Sequence, residues 1–522
     1  MKHVLLPLVA AISLSACQSQ ALLNQNSTRF QPLPTQTLAT TNQANTSTDT
    51  ALPSALSNSR QTPDFGKISK ARTNTPSQNA PVLSNKTSTP ASPTTLPVAS
   101  APVSNSSSPA KVLISKNYNT ETLVAGLHAG ADLSDAQAIA QRYHLSVDRY
   151  ISNIRTVVYK TQGQEVTELL HSLKQESQLE YVETDQVASQ KPESEKSVTE
   201  SFKLFAVDTV NDKYFAQQYS LTAMNVPQAW ELSKGENTVV AVIDTGVDVD
   251  HPDLKSRVVN GYDAYSQQEG EDAGDVSSLN YIMSSYKHGS HVAGIVAAET
   301  NNSKGIAGVA PQAKVMPIKI FPDVSDIIKS IFAPENGESQ TIVSILADGI
   351  VWAADHGADV INMSLAVSEH SETLDRAVEY ALGKGVSVIV AAGNSRHTDN
   401  ARNYLAAIEG VIAVGATDET DSITIFSNSG DYVSVAAPGL DVISSVPSFL
   451  GVNPYVKMSG TSMAAPNVAG VAALLKSKFG ATATPAWIKT RLQESAHDKG
   501  DSGRDDLYGY GLVDAYKALG GQ

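Results

Sequence analysis

The sequence predicts an α/β fold, a doubly wound and mostly parallel sheet, preceded by a small α+β domain and a long polar tether. Three observations carry this reading. Residues 238–243 (TVVAVI) form an unbroken apolar run, the pattern of a strand buried on both faces of a parallel sheet. From there to the C-terminus short apolar runs alternate with helical patterns, as repeated strand–helix crossovers require. Between residues 111 and 190 two amphipathic helices interleave with short strands, enough for a small sandwich of its own.

Residues 1–16 read as a signal peptide, with a basic start at Lys2 and an apolar run, 4–14, too short to span a membrane. Leu14-Ser15-Ala16-Cys17 follows, and Cys17 is the only cysteine of the chain. This tetrapeptide resembles the bacterial lipobox. The resemblance implies a lipidated Cys17 as the mature N-terminus, anchored in a membrane by its acyl chains. Gln18 after it fits sorting to the outer membrane of a Gram-negative cell. A single cysteine also excludes an intrachain disulfide and a cysteine-rich zinc module.

From 18 to 110, about 59 of 93 residues are Ser, Thr, Asn, Gln or Pro and only eight are charged. Too little apolar surface is available to offset chain entropy, so 17–110 reads as a disordered tether. Its r.m.s. span is on the order of 50–60 Å. Residues 1–110 hold seven Lys/Arg and two Asp/Glu, which leaves 31 against 51 in the remainder. An acidic globular part argues against nucleic acid as a partner.

In 111–190, residues 112–114 and 156–159 read as strands, and 179–182 and Val187 as further extended pieces. Residues 135–144 form a helix with Ser134 as its N-cap, and 165–174 a second helix with Val166, Leu169, Leu170 and Leu173 on one face. The segment 191–212 is a linker, and polar 189–200 is expected to be exposed and cleavable.

In 213–522 the apolar strand ends in Asp244-Thr245-Gly246, and function collects at the carboxyl ends of such strands. Asp-Thr-Gly is also half of an aspartic dyad, for which Asp501-Ser502-Gly503 offers a second half. Asp501 lies in a polar loop without strand flanks, and the intervening chain is not all-β, so that reading fails. His288 lies just ahead of a helix that Gly289 and Ser290 start. His288 and His291 at i, i+3 invite a metal, but the zinc-peptidase spacing is absent. Ser462 stands at a helix N-terminus, where free N–H groups face an oxyanion, and Pro466 falls within the first turn. His251, His291, His356 and His397 read as structural or surface residues.

"AVIDTGVDVDHPDL", "HGSHVAGIVAA" and "GTSMAAPNVAG", in that order, resemble the three signature blocks of the subtilisin-like serine peptidases, and the likeness covers about 212–519. It implies that Ser462 is the nucleophile, His288 its base and then acid, and Asp244 the group that holds the imidazole. Asn394, in "AAGNS", becomes an oxyanion-hole donor beside the Ser462 N–H; on its own it reads equally as a turn residue after Gly393. "EVTELLHSLKQESQLEYVETDQ" resembles the propeptide of the same family, a folding aid and intramolecular inhibitor; the bland alternative is a separate interaction domain.

The resemblance further implies a specificity pocket of Ser364, Leu365, Ala366, Ala391, Ala392 and Gly393, with apolar or broad preference. No cofactor is needed for catalysis. Asp253 and Asn302 match positions that ligate structural Ca²⁺, with the carbonyls of Thr300, Lys304 and Ile306; a capped turn is the alternative. Lys287 and Ser290 depart from the usual Gly-His-Gly-Thr-His, and residues 321–340 are longer than usual, either a lid or exosite or a tolerated surface insertion. The closing "GYGLVDAYKAL" resembles the family's usual end, so no β-barrel translocator is expected to follow. The expectation is a lipid-anchored, self-processing serine endopeptidase acting on proteins and peptides. Its rival is a catalytically silent binding or adhesion protein on the same scaffold.

Overall fold

The computed structural model describes residues 110–190, 192–198, 210–271, 273–276, 284–322, 339–448 and 453–522. Cys17, the tether and most of the long 321–340 segment lie outside these residues.

The small domain runs β1 (Lys111–Leu113), β2 (Tyr118–Leu127), α1 (Leu133–Arg142), β3 (Ser146–Ile151), β4 (Thr156–Lys160), α2 (Val166–Leu173) and β5 (Leu179–Gln190). Its strands lie in the order β1-β5-β2-β4-β3. Both helices pack one face, where Leu123, Ile139, Val157, Tyr159, Leu170 and Leu173 form a core. All four residues of the expected α2 stripe are buried. Helix α1 begins earlier than its pattern suggested and is capped by Asp132, not Ser134. Asp132 has the extended backbone a cap needs; its carboxylate accepts the Ser134 N–H at 2.8 Å, while Asp135 accepts the Asp132 N–H at 3.0 Å. Strands β2 and β3 escaped prediction because the first, "YNTE" half of β2 is polar and largely exposed, and β3 lacks clean alternation.

The large domain follows β6 (Ser194–Ser197) with β7 (Val239–Asp244), β8 (Gly261–Asp263), β9 (Gln268–Gly270), α3 (His288–Ala297), β10 (Lys314–Lys319), β11 (Ser339–Ile342), α4 (Val343–Asp355), β12 (Val360–Met363), β13 (Ala366–Val367), α5 (Glu372–Gly383), β14 (Ser387–Ala391), β15 (Ile412–Thr417), β16 (Val433–Pro438), β17 (Val442–Ser445), β18 (Tyr455–Ser459) and α6 (Thr461–Phe479). The main sheet has the order β16-β15-β14-β12-β7-β10-β8-β9, parallel except for β9. Alternate residues of β7 feed two cores. Val240 and Val242 meet α3 and α6, whereas Ala241 and Ile243 meet α4 and α5. The sheet is therefore covered on both faces, as its apolar run required. From β7 the chain's next strands go to opposite sides, β10 to one and β12, β14, β15 and β16 in turn to the other, so the crevice beyond its carboxyl end is the switch point of the sheet. Asp244 is its last residue.

Strand β5 joins the two domains. Val187 to Gln190 pair antiparallel with β11, and Ala188 and Ser189 also with β13. Earlier in β5 the Glu183 carboxylate accepts the Ser371 hydroxyl (2.9 Å) and the N–H groups of Glu372 (3.1 Å) and Thr373 (3.2 Å), at the N-terminus of α5. Asp185 accepts the Ser344 N–H (3.0 Å) and hydroxyl (2.6 Å) at the start of α4. One strand thus caps two helices of its neighbour with buried carboxylates, satisfying donors that a helix start leaves free. Ile151, Ile154 and Ala188 extend the α4–α5 core.

The stretch expected to be an exposed linker is in part strand. Glu193 donates its N–H to the Ser459 carbonyl (2.9 Å), and β6 pairs antiparallel with β18. Glu195, Lys196 and Ser197 keep exposed side chains, but their backbone covers the edge of β18. Among the described residues no helix is long and apolar enough to cross a membrane.

Candidate active site

The end of β7 and the start of α3 bring Asp244 and His288 together from 44 residues apart. His288 Nδ1 lies 2.9 Å from both carboxylate oxygens of Asp244, and both side chains are buried. The approach depends on Gly289, where a Cβ would collide with the Gly246 carbonyl. Thr245 locks the same junction, its hydroxyl accepting the Gly289 N–H at 3.0 Å. On the far side of the imidazole, Nε2 is buried and has no hydrogen-bond partner among the described residues. One ring nitrogen is therefore oriented and the other is open for a proton.

Ser462 is the second residue of α6, so its N–H has no acceptor within the helix. Its hydroxyl donates to the Ser364 carbonyl at 3.3 Å, while the Ser364 hydroxyl donates to the Ser462 carbonyl at 2.8 Å. In this conformation the serine is turned toward Ser364 and not toward the imidazole.

Asn394 follows β14 and the left-handed Gly393 (φ 111°). Its Oδ1 accepts both the N–H (2.9 Å) and the hydroxyl (2.8 Å) of Thr461. That choice leaves Nδ2, near Gly460 and beside Ser462, without a hydrogen-bond partner among the described residues. Thr461, which the sequence did not single out, is what holds this amide. Its signal was its place next to Ser462, and its hydroxyl also receives the Gly393 N–H at 3.1 Å.

Ser462, Thr461 and Asn394 open onto a cavity of about 700 Å³. Ser364, Leu365, Ala366, Ala391, Gly393 and Asn394 line it, together with Ser189, Gln190, Pro192 and Glu193 of the incoming chain. Ala392 does not. It is fully buried, and its carbonyl accepts the Tyr432 hydroxyl at 3.0 Å, because strand alternation turns it away from its neighbours' face. Among the described lining residues, no carboxylate comes from the large domain. Arg402 is the cation at the rim, paired with Asp431 at 2.7 Å.

Lys287 binds Glu195 at 2.8 Å. Ser290 accepts the Asp248 N–H at 2.8 Å inside the fold. Burial, followed by the neighbouring His288, pushes His291 down to about 3, so it stays neutral. His251 is likewise held below its usual range by burial.

Asp253 and Asn302 do meet. Asp253 is fully buried; its Oδ1 accepts the Asn302 Nδ2 (2.9 Å) and its Oδ2 the Ile306 N–H (3.0 Å) and the Tyr455 hydroxyl (2.9 Å). Asp212, not foreseen, accepts the N–H groups of Asn301 (2.7 Å) and Asn302 (3.2 Å). Burial, with a further push from the charge of Asp253, raises its carboxyl above the usual range. Two buried carboxylates flanking an amide suit a hard cation in composition. The expected carbonyls fit less well: that of Lys304 accepts the Lys213 N–H, and Ile306 turns its N–H to Asp253. Among the described residues no three His, Cys, Asp or Glu side chains cluster as metal ligands.

Comparison with known proteins places this geometry. Residues 235–511 match the subtilase family, and residues 104–185 match the fervidolysin N-terminal prodomain. The chain is 41% identical over 313 residues to a thermophilic serine proteinase of Bacillus sp. (strain AK1), covering 60% of this chain and 69% of that one. It is 40% identical to thermitase of Thermoactinomyces vulgaris, over 60% of this chain and 99% of that one. The crystal structure of fervidolysin from Fervidobacterium pennivorans, described as a keratinolytic enzyme related to subtilisin, superposes with a TM-score of 0.69 at 33% identity, covering 80% of this chain and 64% of that chain. The chain belongs to the subtilase family and is a subtilisin-like serine peptidase with an N-terminal prodomain.

Proposed function

We propose that Asp244, His288 and Ser462 form the catalytic triad of an endopeptidase made as a self-processing zymogen. The observation that carries the reading is the buried Asp244–His288 pair at the switch point, with Ser462 and the free Asn394 amide facing the same cavity. Ser462 Oγ attacks the scissile carbonyl as His288 Nε2 takes its proton. Asp244 keeps Nδ1 protonated and stabilises the imidazolium. The oxyanion is met by Asn394 Nδ2 and the Ser462 N–H. His288 then returns the proton to the leaving amine, and water hydrolyses the acyl-enzyme by the same route. With Ser364, Leu365, Ala366, Ala391 and Gly393 in the wall of the pocket and no large-domain carboxylate among its described lining residues, the preference is apolar or broad.

The proposed organisation is a signal peptide (1–16), lipidated Cys17 with its tether (17–110), the inhibitory domain (111–190), a processed linker (191–212) and the peptidase (213–522). Export to the outer membrane through Cys17 rests on the Leu14-Ser15-Ala16-Cys17 motif. Labelling with a clickable fatty acid tests it: wild type takes up label and Cys17→Ala does not. Asp212, Asp253 and Asn302 would hold structural Ca²⁺, tying the start of the large domain to the loop after α3.

Intact-mass analysis of residues 18–522, beside the same chain with Ser462→Ala, tests the whole reading. Wild type breaks between about residues 189 and 212, and the variant stays whole. If both stay whole and neither reacts with a fluorophosphonate, the silent binding-scaffold reading takes its place.

A further inference from the structure

The chain passes the catalytic serine with a strand on each side. Upstream, Val187 to Gln190 lie between β11 and β13. Downstream, the Glu193 N–H bonds the Ser459 carbonyl and β6 runs along β18, pairing Ser194 with Ser459, Glu195 with Met458, Lys196 with Lys457 and Ser197 with Val456. The other edge of β18 is taken by β17. Once this segment is cut and leaves, one edge of β18 is open, and an extended substrate satisfies it by adding a strand in the same register.

Successive side chains of β6 take opposite faces. Glu195 meets Lys287 at 2.8 Å, and Lys196 meets Asp441 at 2.6 Å. Lys287 is the residue immediately before His288, so its charge is carried on the turn that opens α3. Lys457 stands directly opposite Lys196 and offsets what Asp441 offers there, whereas Glu195 has the neutral Met458 opposite. Discrimination by charge therefore falls on the Glu195 position.

The geometry points to a charge-reading subsite on the leaving-group side of the cleft. In it Lys287 selects an acidic side chain two residues beyond the one whose N–H bonds the Ser459 carbonyl. The subsite rests on the peptidase reading above and names a substrate class for it: extended chains with Asp or Glu downstream of the cut. The Lys287 and Glu195 side chains are 25% and 33% exposed, so the pair is partly solvated. A preference of about two- to fivefold follows, weakening as salt screens it.

The test is mass-spectrometric profiling of the cuts made in a denatured protein library by the self-processed enzyme, its Lys287→Gln variant and its Lys287→Glu variant. Scoring the ratio of acidic to neutral residues at each downstream position makes the readout independent of overall rate. Wild type should show Asp/Glu enriched about two- to fivefold at a single position, the third to fifth after the cut. The enrichment should vanish in Lys287→Gln, turn to Lys/Arg in Lys287→Glu, and shrink in 0.5 M salt. Cutting without acidic enrichment, or enrichment that survives both substitutions, overturns the subsite and leaves the peptidase reading standing. A wild type that cuts nothing overturns both.

Discussion

Lowering the pH from 8 to 6 should tighten the seat of the small domain on the peptidase, with Glu183 as the proton acceptor. Its carboxyl is fully buried, and burial pushes it from 4.5 up to about 7, although Ser371, Glu372 and Thr373 all donate to it. Undocked, the carboxyl returns to water and its ordinary range. The docked form therefore binds the extra proton between about pH 4.5 and 7. Its stability is greatest below this window and is lost as the pH rises through it, the reverse of a carboxylate in an ion pair. At about 1.4 kcal/mol per unit, the window spans about 3 kcal/mol, of which roughly 1.3 kcal/mol, or tenfold, separates pH 8 from pH 6. Asp185, also raised by burial, acts in the same direction. Amide hydrogen exchange of the Ser462→Ala chain reads this directly. After correction for intrinsic rates, peptides covering β5 and the first turn of α5 should be about tenfold better protected at pH 6. Glu183→Gln, which has no proton to exchange, should lose most of the slope. Equal or greater wild-type protection at pH 8, or a full slope in the Gln variant, would refute the reasoning.

Three further outcomes are expected. Asn394→Ala removes a donor facing the cavity and the partner of Thr461, so kcat should fall about 10²–10³-fold, the loss a subtilisin shows for such a donor; a change below tenfold in a peptide-amide assay would deny it the oxyanion role. Gly289→Ala forces a methyl into the Gly246 carbonyl, so by overpacking it should cost about 1–3 kcal/mol in calorimetry and most of the activity; an unchanged melting temperature with full activity would contradict the packing. Chelation should lower the melting temperature by about 3–5 °C, since a site held at a hundredfold over its Kd contributes about 2.7 kcal/mol, and Asp253→Asn should abolish the response; no shift in wild type would mean that the carboxylates serve as a capped turn.

Much of this protein is legible in one dimension. The apolar run ending at Asp244 predicts a buried parallel strand and a functional carboxyl end, and the blocks around His288 and Ser462 give the order of the proposed catalytic groups. The α2 stripe needs only a 3.6-residue period. These features are local: each is a pattern of residue types within one element, and the element's own geometry decides which face is buried. What the chain leaves undecided is pairing between distant segments. Nothing local distinguishes Glu183 and Asp185 from surface acids; only docking shows them to be the caps of α5 and α4. Polar residues 194–197 look like a free linker, yet the open edge of β18 makes them a strand and sets Glu195 against Lys287. Ala392 and Asp212 exchange expected importance for the same reason. A backbone edge, a helix start or a second carboxylate satisfies its donors and charges only with groups that the tertiary fold brings within reach.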